Sequence, residues 1–511
     1  MSEVITMRRG HQPPTFLGID LGTSSAKAVV TDASGAVLAR ARSSYPVDTP
    51  FSTWSESDPD LWWMAITSAV REATAGVGHT VCGIGLSGQM HGLVTTDSAM
   101  RPVRPAVTWS DSRAVDQLAL YRALPHRVRA RLANPLAPGM AGPILVWLMR
   151  NEPSSYQQTR WALQPKDWVR SRLTGRVESE PSDASATLLY DVLGDGWDEE
   201  LVGILGLDPK ILPPLLPHSG SHAGALLPAV AEELGLPPGT PVAAGAADSA
   251  AAVFGTGLRH LQAQITIGTG AQIIVPLHAA LPRAPGSTVT HLYRDATPRG
   301  WYEMAAVQSG GLALSWVTQV LGASWAELYD SAKTPVLYDD PIFLPHLTGE
   351  RTPYLDPTMR GAWTGLDAHH HRIALLRSAL EGVAFTLAEA MDSLTGLDLE
   401  TGHLRIAGGG STHAAWQQML ADILGRPLAT VHVPDASGRG AALLGACAAG
   451  YLDETAISSL SAPEVLPVTR PNVQWSGVYA DRRQTFQRVL HAVRRARAVD
   501  ASKASAQRSY A

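Results

Sequence analysis

The sequence predicts an α/β protein of two domains built on one plan, and three observations carry that reading. The chain has 511 residues, more than a single hydrophobic core usually serves. Strand-like apolar runs alternate with helical patterns along its length. A strand, a Gly-Thr turn and a second strand occur over residues 17–32 and again over residues 263–277. Such internal self-similarity points to two copies of one unit.

Taken in order, FLGIDLG, AKAVVTD and AVLARARS read as three strands joined by short turns. DPDLWWMAITSAVREA follows, with Asp58 as N-cap, Pro59 in the first helical position and apolar residues at helical spacing. VCGIGLSG then reads as a buried strand. The second copy, AQITIGTGAQIIVPL, repeats the opening with Thr266 where Asp20 stood. Ile373, Leu376, Leu380, Val383, Leu387, Met391 and Leu394 recur at steps of three and four, predicting a long amphipathic helix whose apolar face is core. LRIAGGGSTHAAWQQMLADILG reads as strand, triple-Gly turn and helix.

Composition narrows the function classes. Hydrophobic residues make up 45% and charged residues 17%, as in folded globular proteins. A formal net charge of -5 offers no basic surplus for nucleic acid or anionic lipid, so small molecules are the expected partners. The two cysteines, Cys82 and Cys447, suit a reducing compartment without disulfides. Residues 1–14 carry charge without an apolar stretch, and no run of about 18 apolar residues occurs, so a cytoplasmic location is expected. Residues 496–511 are polar and aperiodic and read, like residues 1–14, as a disordered tail.

Several residues carry chemistry. Asp20 puts a carboxylate at the end of an apolar strand, where it needs a partner. Thr23 and Ser24 in the first turn, and Gly268, Thr269 and Gly270 in the second, can present backbone N–H groups and hydroxyls to phosphate oxygens. Plain hairpins also use Gly and Thr, and it is the recurrence that favours phosphate. No Walker loop or dinucleotide fingerprint is present. Gly408, Gly409 and Gly410 open a helix and suit the adenosine and α-phosphate of a nucleotide, or are simply a Gly-rich helix start. Asp248 is the only charged residue between Glu233 and Arg259, hence a candidate base, although a bare Asp in an Ala-rich turn ordinarily caps a helix. His91 beside a strand end is either a structural histidine or a partner for a sugar hydroxyl. The run from His369 to His371 reads as a solvated helix start, and Glu350-Arg351 as an internal pair supporting a loop.

IDLGTSSAK, ITIGTGA and RIAGGGSTHAAWQQMLADILG resemble the first phosphate, second phosphate and adenosine motifs of the actin-like ATPase superfamily. Within it the FGGY carbohydrate kinases match best, through SGQMHGL, RPAVTWSDSR, QPKDWVRSRLTG and FLPHLTGERTPYLDPTMRG, in order over nearly the whole chain. QMHG and WSESDPDLWW are similar to the xylulokinase branch. The resemblance implies two ribonuclease H-like domains, residues 15–256 and 257–495, with the active site in the cleft between them. It implies ATP and Mg2+ as cofactors and a sugar substrate. Asp20 would face the metal through water. Thr23, Ser24, Gly268, Thr269, Gly270 and Gly311 would hold phosphates, and Gly408 to Gly410 would flank adenosine. Asp248 would be the base, Met90 and His91 would border the sugar, and Trp109 and Asp111 would lie beside them.

The implied reaction is phosphorylation of the terminal hydroxyl of a pentulose, D-xylulose foremost. Another ketose, a polyol or an aldonate stays open, as does, outside the class, an actin-like nucleotide switch without a sugar. A homodimer is admitted but not required. Ser249 stands where the branch commonly has Asn, Ala246 and Ala247 where it has glycines, and Ile144 where many members have Lys, which leaves the sugar's identity open.

Overall fold

The computed structural model describes residues 13–260, 262–280, 288–394, 404–453 and 468–508. Most of the N-terminal leader lies outside them. Strands β1 (Thr15–Leu21), β2 (Ser25–Asp32) and β3 (Val37–Ser44) form an antiparallel meander. The chain then crosses over through α1 (Pro59–Ala73) and returns as β4 (Val81–Gly88), parallel to β1. Asp58 caps α1 as expected, accepting from the Asp60 N–H. The helix buries Trp62, Ile66 and Val70 against Leu17, Ile19, Val30 and Ile84 of the strands. Strands β5 (His222–Ala225), β6 (Pro241–Ala243) and β7 (Ala246–Ala247) complete the sheet, in the order β5-β6-β4-β1-β2-β3 with β7 also on β4.

The second sheet repeats this plan. Its strands are β8 (Gln264–Ile267), β9 (Ala271–Leu277), β10 (His291–Arg294), β11 (Trp301–Val307), β12 (Leu404–Ala407) and β13 (Leu428–Thr430), in the order β10-β11-β9-β8-β12-β13. β8 and β9 form the opening hairpin, β11 adds an antiparallel strand on one side, and β12 lies parallel to β8 on the other. Two copies of an antiparallel meander with a parallel strand beside its first member make a pair of ribonuclease H-like domains of the actin-like ATPase kind.

Three expectations change. The long helix, α5 (Arg372–Asp392), is not amphipathic: every residue from 376 to 390 is buried. It tolerates charge because Glu381 pairs with Arg377 at 3.2 Å and accepts from Arg482 Nε at 2.9 Å. The triple glycine does not open an α-helix directly; a 3-10 turn over Gly409–Ser411 intervenes before the helix Ala414–Leu424. The last helix runs from Val473 to Arg508, through residues the sequence assigned to the tail.

Two helices tie the halves together. The helix that starts at Asp248 (α3, Asp248–Thr256; α2 is Pro165–Thr174) packs on a late helix, Ala436–Ala448, which lies flat on the first sheet. A Cβ at Gly18 would fall 1.9 Å from the Gly438 carbonyl oxygen, and one at Gly85 1.8 Å from that of Ala441. Strand and helix backbones thus meet directly, which only glycine permits. Among the described residues no helix is long and apolar enough to cross a membrane.

Candidate active site

Register brings the two carboxylates to one place. Asp20 on β1 pairs with Ser87 on β4, and Ser87 pairs with Ala246 on β7. Asp248 follows two residues later as the first residue of α3. Asp20 is 4% exposed; its two oxygens accept from Ser87 Oγ at 3.0 Å and Ser437 Oγ at 2.9 Å. Lys27, its cross-strand neighbour, stands 3.7 Å away and is shared with Asp435 at 3.3 Å. Each Asp20 oxygen keeps a lone pair, so this single acid fits a hydrated divalent cation held through water.

Asp248 does not cap its helix, since Ala247 occupies the cap position. Its Oδ1 accepts from the Ser249 N–H at 2.6 Å and from Ser249 Oγ at 3.1 Å. Burial, and then the negative charge of Asp20, push its pKa up to about 6. A carboxylate tuned to that range is a better proton acceptor than a free one and is still ionised at neutral pH.

The two Gly-Thr turns are braced differently. In the first, the Gly22 N–H donates to the Ser25 carbonyl at 3.0 Å, the Tyr45 hydroxyl donates to the Gly22 carbonyl, and Trp109 Nε1 donates to Thr23 Oγ1 at 2.9 Å. Ser24 is exposed. In the second, α4 (Gly311–Leu321) starts beneath the turn: the Gly311 and Leu312 N–H groups donate to the Gly268 and Thr269 carbonyls at 2.9 and 2.8 Å. Thr269 is exposed above it. Because β8 and β12 are parallel neighbours, the triple glycine emerges beside this turn. Gly408 has φ of +93°, and a Cβ there would meet the Ile267 carbonyl oxygen at 2.4 Å, whereas Gly409 faces open space.

Met90 is buried and accepts a long contact, 3.9 Å, from the Tyr302 hydroxyl. His91 Nδ1 donates to the Ala186 carbonyl at 2.8 Å, which leaves Nε2 as an acceptor. Burial lowers the His91 pKa to about 4, so the ring is neutral. Asp111 accepts from the Ser55 N–H at 2.6 Å and from Arg113 Nη2 at 2.8 Å, and it is 2% exposed. Its acceptors are used inside the protein, where they anchor the loop that carries Trp109.

Ile144 is fully buried in the core, so the substitution there bears on packing. The Glu350-Arg351 pairing is corrected: the Glu350 carboxylate accepts from the N–H groups of Gln308 and Arg351 at 2.6 and 2.8 Å and from His346 Nδ1 at 3.1 Å, and not from the Arg351 guanidinium. Sequence reasoning missed Lys27 and Arg351. A tight hairpin register, counted back from Gly22, would have put Lys27 opposite Asp20; no comparable signal marks Arg351.

Two hairpins of one plan, one in each sheet, with the buried carboxylates Asp20 and Asp248 beside the first, define the class: an α/β protein of the actin-like ATPase fold. The comparisons specify it. The N-terminal domain of the FGGY family of carbohydrate kinases matches residues 15–255 and its C-terminal domain residues 263–449. The chain belongs to that family and is an ATP-dependent sugar kinase. It is 34% identical over 487 residues to the xylulose kinase of Escherichia coli (strain K12), covering 93% of this chain and 98% of that one. A crystal structure titled "xyloylose kinase" from Brucella ovis superposes with a TM-score of 0.87 at 33% identity, covering 94% and 99% of the two chains. The gluconate kinase of Lactobacillus acidophilus, at 23% identity, also reaches 0.87 over 94% and 98%, and shares the fold.

Proposed function

We propose that the chain phosphorylates D-xylulose at its terminal hydroxyl, giving D-xylulose 5-phosphate and ADP, with Asp248 as base. The observation that carries the site assignment is the register that sets Asp20, Ser87 and Ala246 in one row with Asp248 just beyond it. The similarity to xylulose kinases at 30% identity or more over most of the chain supports the choice of sugar.

In this reading the sugar oxygen attacks the γ-phosphorus, its proton passes to an Asp248 carboxylate oxygen, and the bond to the bridging oxygen breaks with its electron pair leaving on ADP. Neutral His91 accepts from a sugar hydroxyl through Nε2. Thr23, Ser24 and Thr269 supply hydroxyls, and the Gly268–Gly270 turn supplies its backbone, to the phosphates. Gly408, Gly409 and Gly410 flank adenosine, Gly409 leaving open space and the other two packing on Ile267, and Gly311 lets α4 approach the second turn. Asp20 and its serine partners would hold Mg2+, which when bound offsets the charge of the phosphates. Trp109 shapes the wall between sugar and phosphate, with Asp111 anchoring its loop. The domain division falls between residues 256 and 257, and the protein works in the cytoplasm with no nucleic-acid or membrane partner. A homodimer is the assembly to test by light scattering.

The test is ATP consumption over a panel of ketoses, polyols and aldonates. D-xylulose is expected to give the highest kcat/KM; an aldonate or polyol exceeding it tenfold would replace the substrate assignment. The Ser249 departure favours keeping other ketoses in that panel, because its hydroxyl is turned to Asp248 and, at 3.4 Å, to Gln272 Oε1.

A further inference from the structure

Among the described residues Arg351 is a buried cation without an ion pair, although Glu350 lies near enough to be felt by its charge. Its neighbour Glu350 is committed to two backbone N–H groups beyond its own and to His346. Among the described residues the guanidinium makes no ion pair and no hydrogen bond; its one ring contact is with Trp109, whose centroid lies 5.1 Å away. Its other neighbours include His91, assigned above to the sugar. Its charge contributes to keeping His91 neutral and is felt by the Tyr293 hydroxyl, whose ring lies 5.8 Å from that of His91. The far edge of Trp109 donates to Thr23 in the first phosphate turn. Arg351 therefore stands between the residues assigned to the sugar and the turn assigned to phosphate. Burial even lowers its pKa, so its charged form is kept at a cost.

Neutral sugar hydroxyls do not need a guanidinium. A phosphate monoester does, because the planar fork matches two phosphate oxygens at once. We propose that Arg351 is the product-phosphate site: it pairs with the phosphoryl group as that group becomes bound to the sugar oxygen. The inference rests on the assignment of the cleft between Asp248 and the two turns. It adds no chemical step. The hydroxyl oxygen gains the bond to phosphorus, the proton goes to Asp248, the bridging oxygen leaves with its electron pair on ADP, and Arg351 meets the dianion now carried by the sugar. The cation–π contact with Trp109 keeps the fork aimed before that charge arrives.

The experiment compares wild type, Arg351→Lys and Arg351→Gln with D-xylulose and ATP, measuring kcat, both KM values and inhibition by D-xylulose 5-phosphate. For Arg351→Gln, kcat is expected to fall on the order of a hundredfold, the scale on which removing one donor to a developing charge acts. The inhibition constant for the sugar phosphate should rise at least about tenfold, while the KM for D-xylulose stays within about threefold. Arg351→Lys, which keeps the charge and loses the fork, should fall between.

A raised KM for D-xylulose with unchanged product inhibition would overturn the proposal in favour of sugar recognition. Equal loss of nucleotide affinity in both variants would overturn it in favour of a brace between lobes. A fault in the Asp248 assignment has a separate signature, since Asp248→Ala would then turn over normally whatever Arg351 does.

Discussion

The two opening hairpins share a topology and divide the labour. At the tip of β1 stand an acid, Asp20, a lysine opposite it and an indole tethering the turn. At the tip of β8 the equivalent position is Thr266, and the turn is held by carbonyls accepting from the N-terminus of α4. The first lobe also carries Asp248, His91 and Met90; the second carries Gly268, Gly270, Gly310, Gly311 and Gly408, where any Cβ but that of Gly268 would strike backbone within 3 Å. One copy concentrates charge, the other close approach of backbone to backbone around an open turn. Damage to the first should therefore appear in kcat, and damage to the second in ATP affinity and stability.

The largest expected effect is at Asp248. Asp248→Asn should lower kcat by about 10³-fold or more with ATP still bound, as loss of a general base does. The same change should stabilise the ligand-free protein. The folded pKa of about 6 lies above the ordinary value of 3.8, so the folded state binds that proton more tightly than the unfolded one. Stability from this group is present below pH 4 and lost as pH rises through 6, by up to about 3 kcal/mol. A higher Tm for Asp248→Asn at pH 7, converging on wild type near pH 4, is the outcome that thermal melts at several pH values should give. In wild type, kcat/KM for the sugar should fall on the acid side of about pH 6, and Asp20→Asn should move that limb to lower pH by removing the charge that raises it.

The glycines of the second lobe sharpen the contrast. Gly408→Ala puts a Cβ 2.4 Å from the Ile267 carbonyl at a positive φ, so a loss of about 2 to 4 kcal/mol is expected in denaturant melts. Gly409→Ala meets nothing within 4 Å. It should leave stability within about 0.5 kcal/mol of wild type and raise the KM for ATP several-fold, because only a bound nucleotide would feel the methyl. If both variants lost stability alone, the triple glycine would be a folding device and the nucleotide would sit elsewhere.

What the sequence disclosed follows the same division. Period-two patterning, turn glycines and the repeat made both sheets legible, because those signals depend on neighbours close along the chain. Asp20 and Asp248 stood out because each is a lone charge in an apolar run. Their adjacency was not legible, since it depends on pairing among β1, β4 and β7, strands spread over more than 200 residues of chain. The long helix misled for a related reason: its charges are paired inside the protein, Arg377 with Glu381 and the Tyr479 hydroxyl, and Glu381 with Arg482, so a polar stripe that looked solvent-facing is buried. Arg351 was invisible because sequence adjacency suggested Glu350 as its partner, and the fold gives that acid other donors.

The smallest expected effect tests the first lobe where its chemistry is mildest. Ser249 is 5% exposed, and its hydroxyl spans only to Asp248 and Gln272. Asn at this position would add an amide with two donors and reach further into the cleft, but would give up the bond from Oγ to the carboxylate, one of two that hold its Oδ1. The backbone N–H of residue 249 would still donate to Asp248, so the base stays aimed and kcat for the best substrate should change by less than about fivefold. The extra donor acts on whichever hydroxyl lies next to the reacting one, and a single hydrogen bond to a neutral group is worth about 1 kcal/mol. Ser249→Asn should therefore shift the ratio of kcat/KM between two ketoses differing at that hydroxyl by about three- to tenfold. Competition of the two sugars in one assay reads that ratio directly. An unchanged ratio with reduced kcat would mean that Ser249 serves the base alone and that discrimination lies with His91 and its wall.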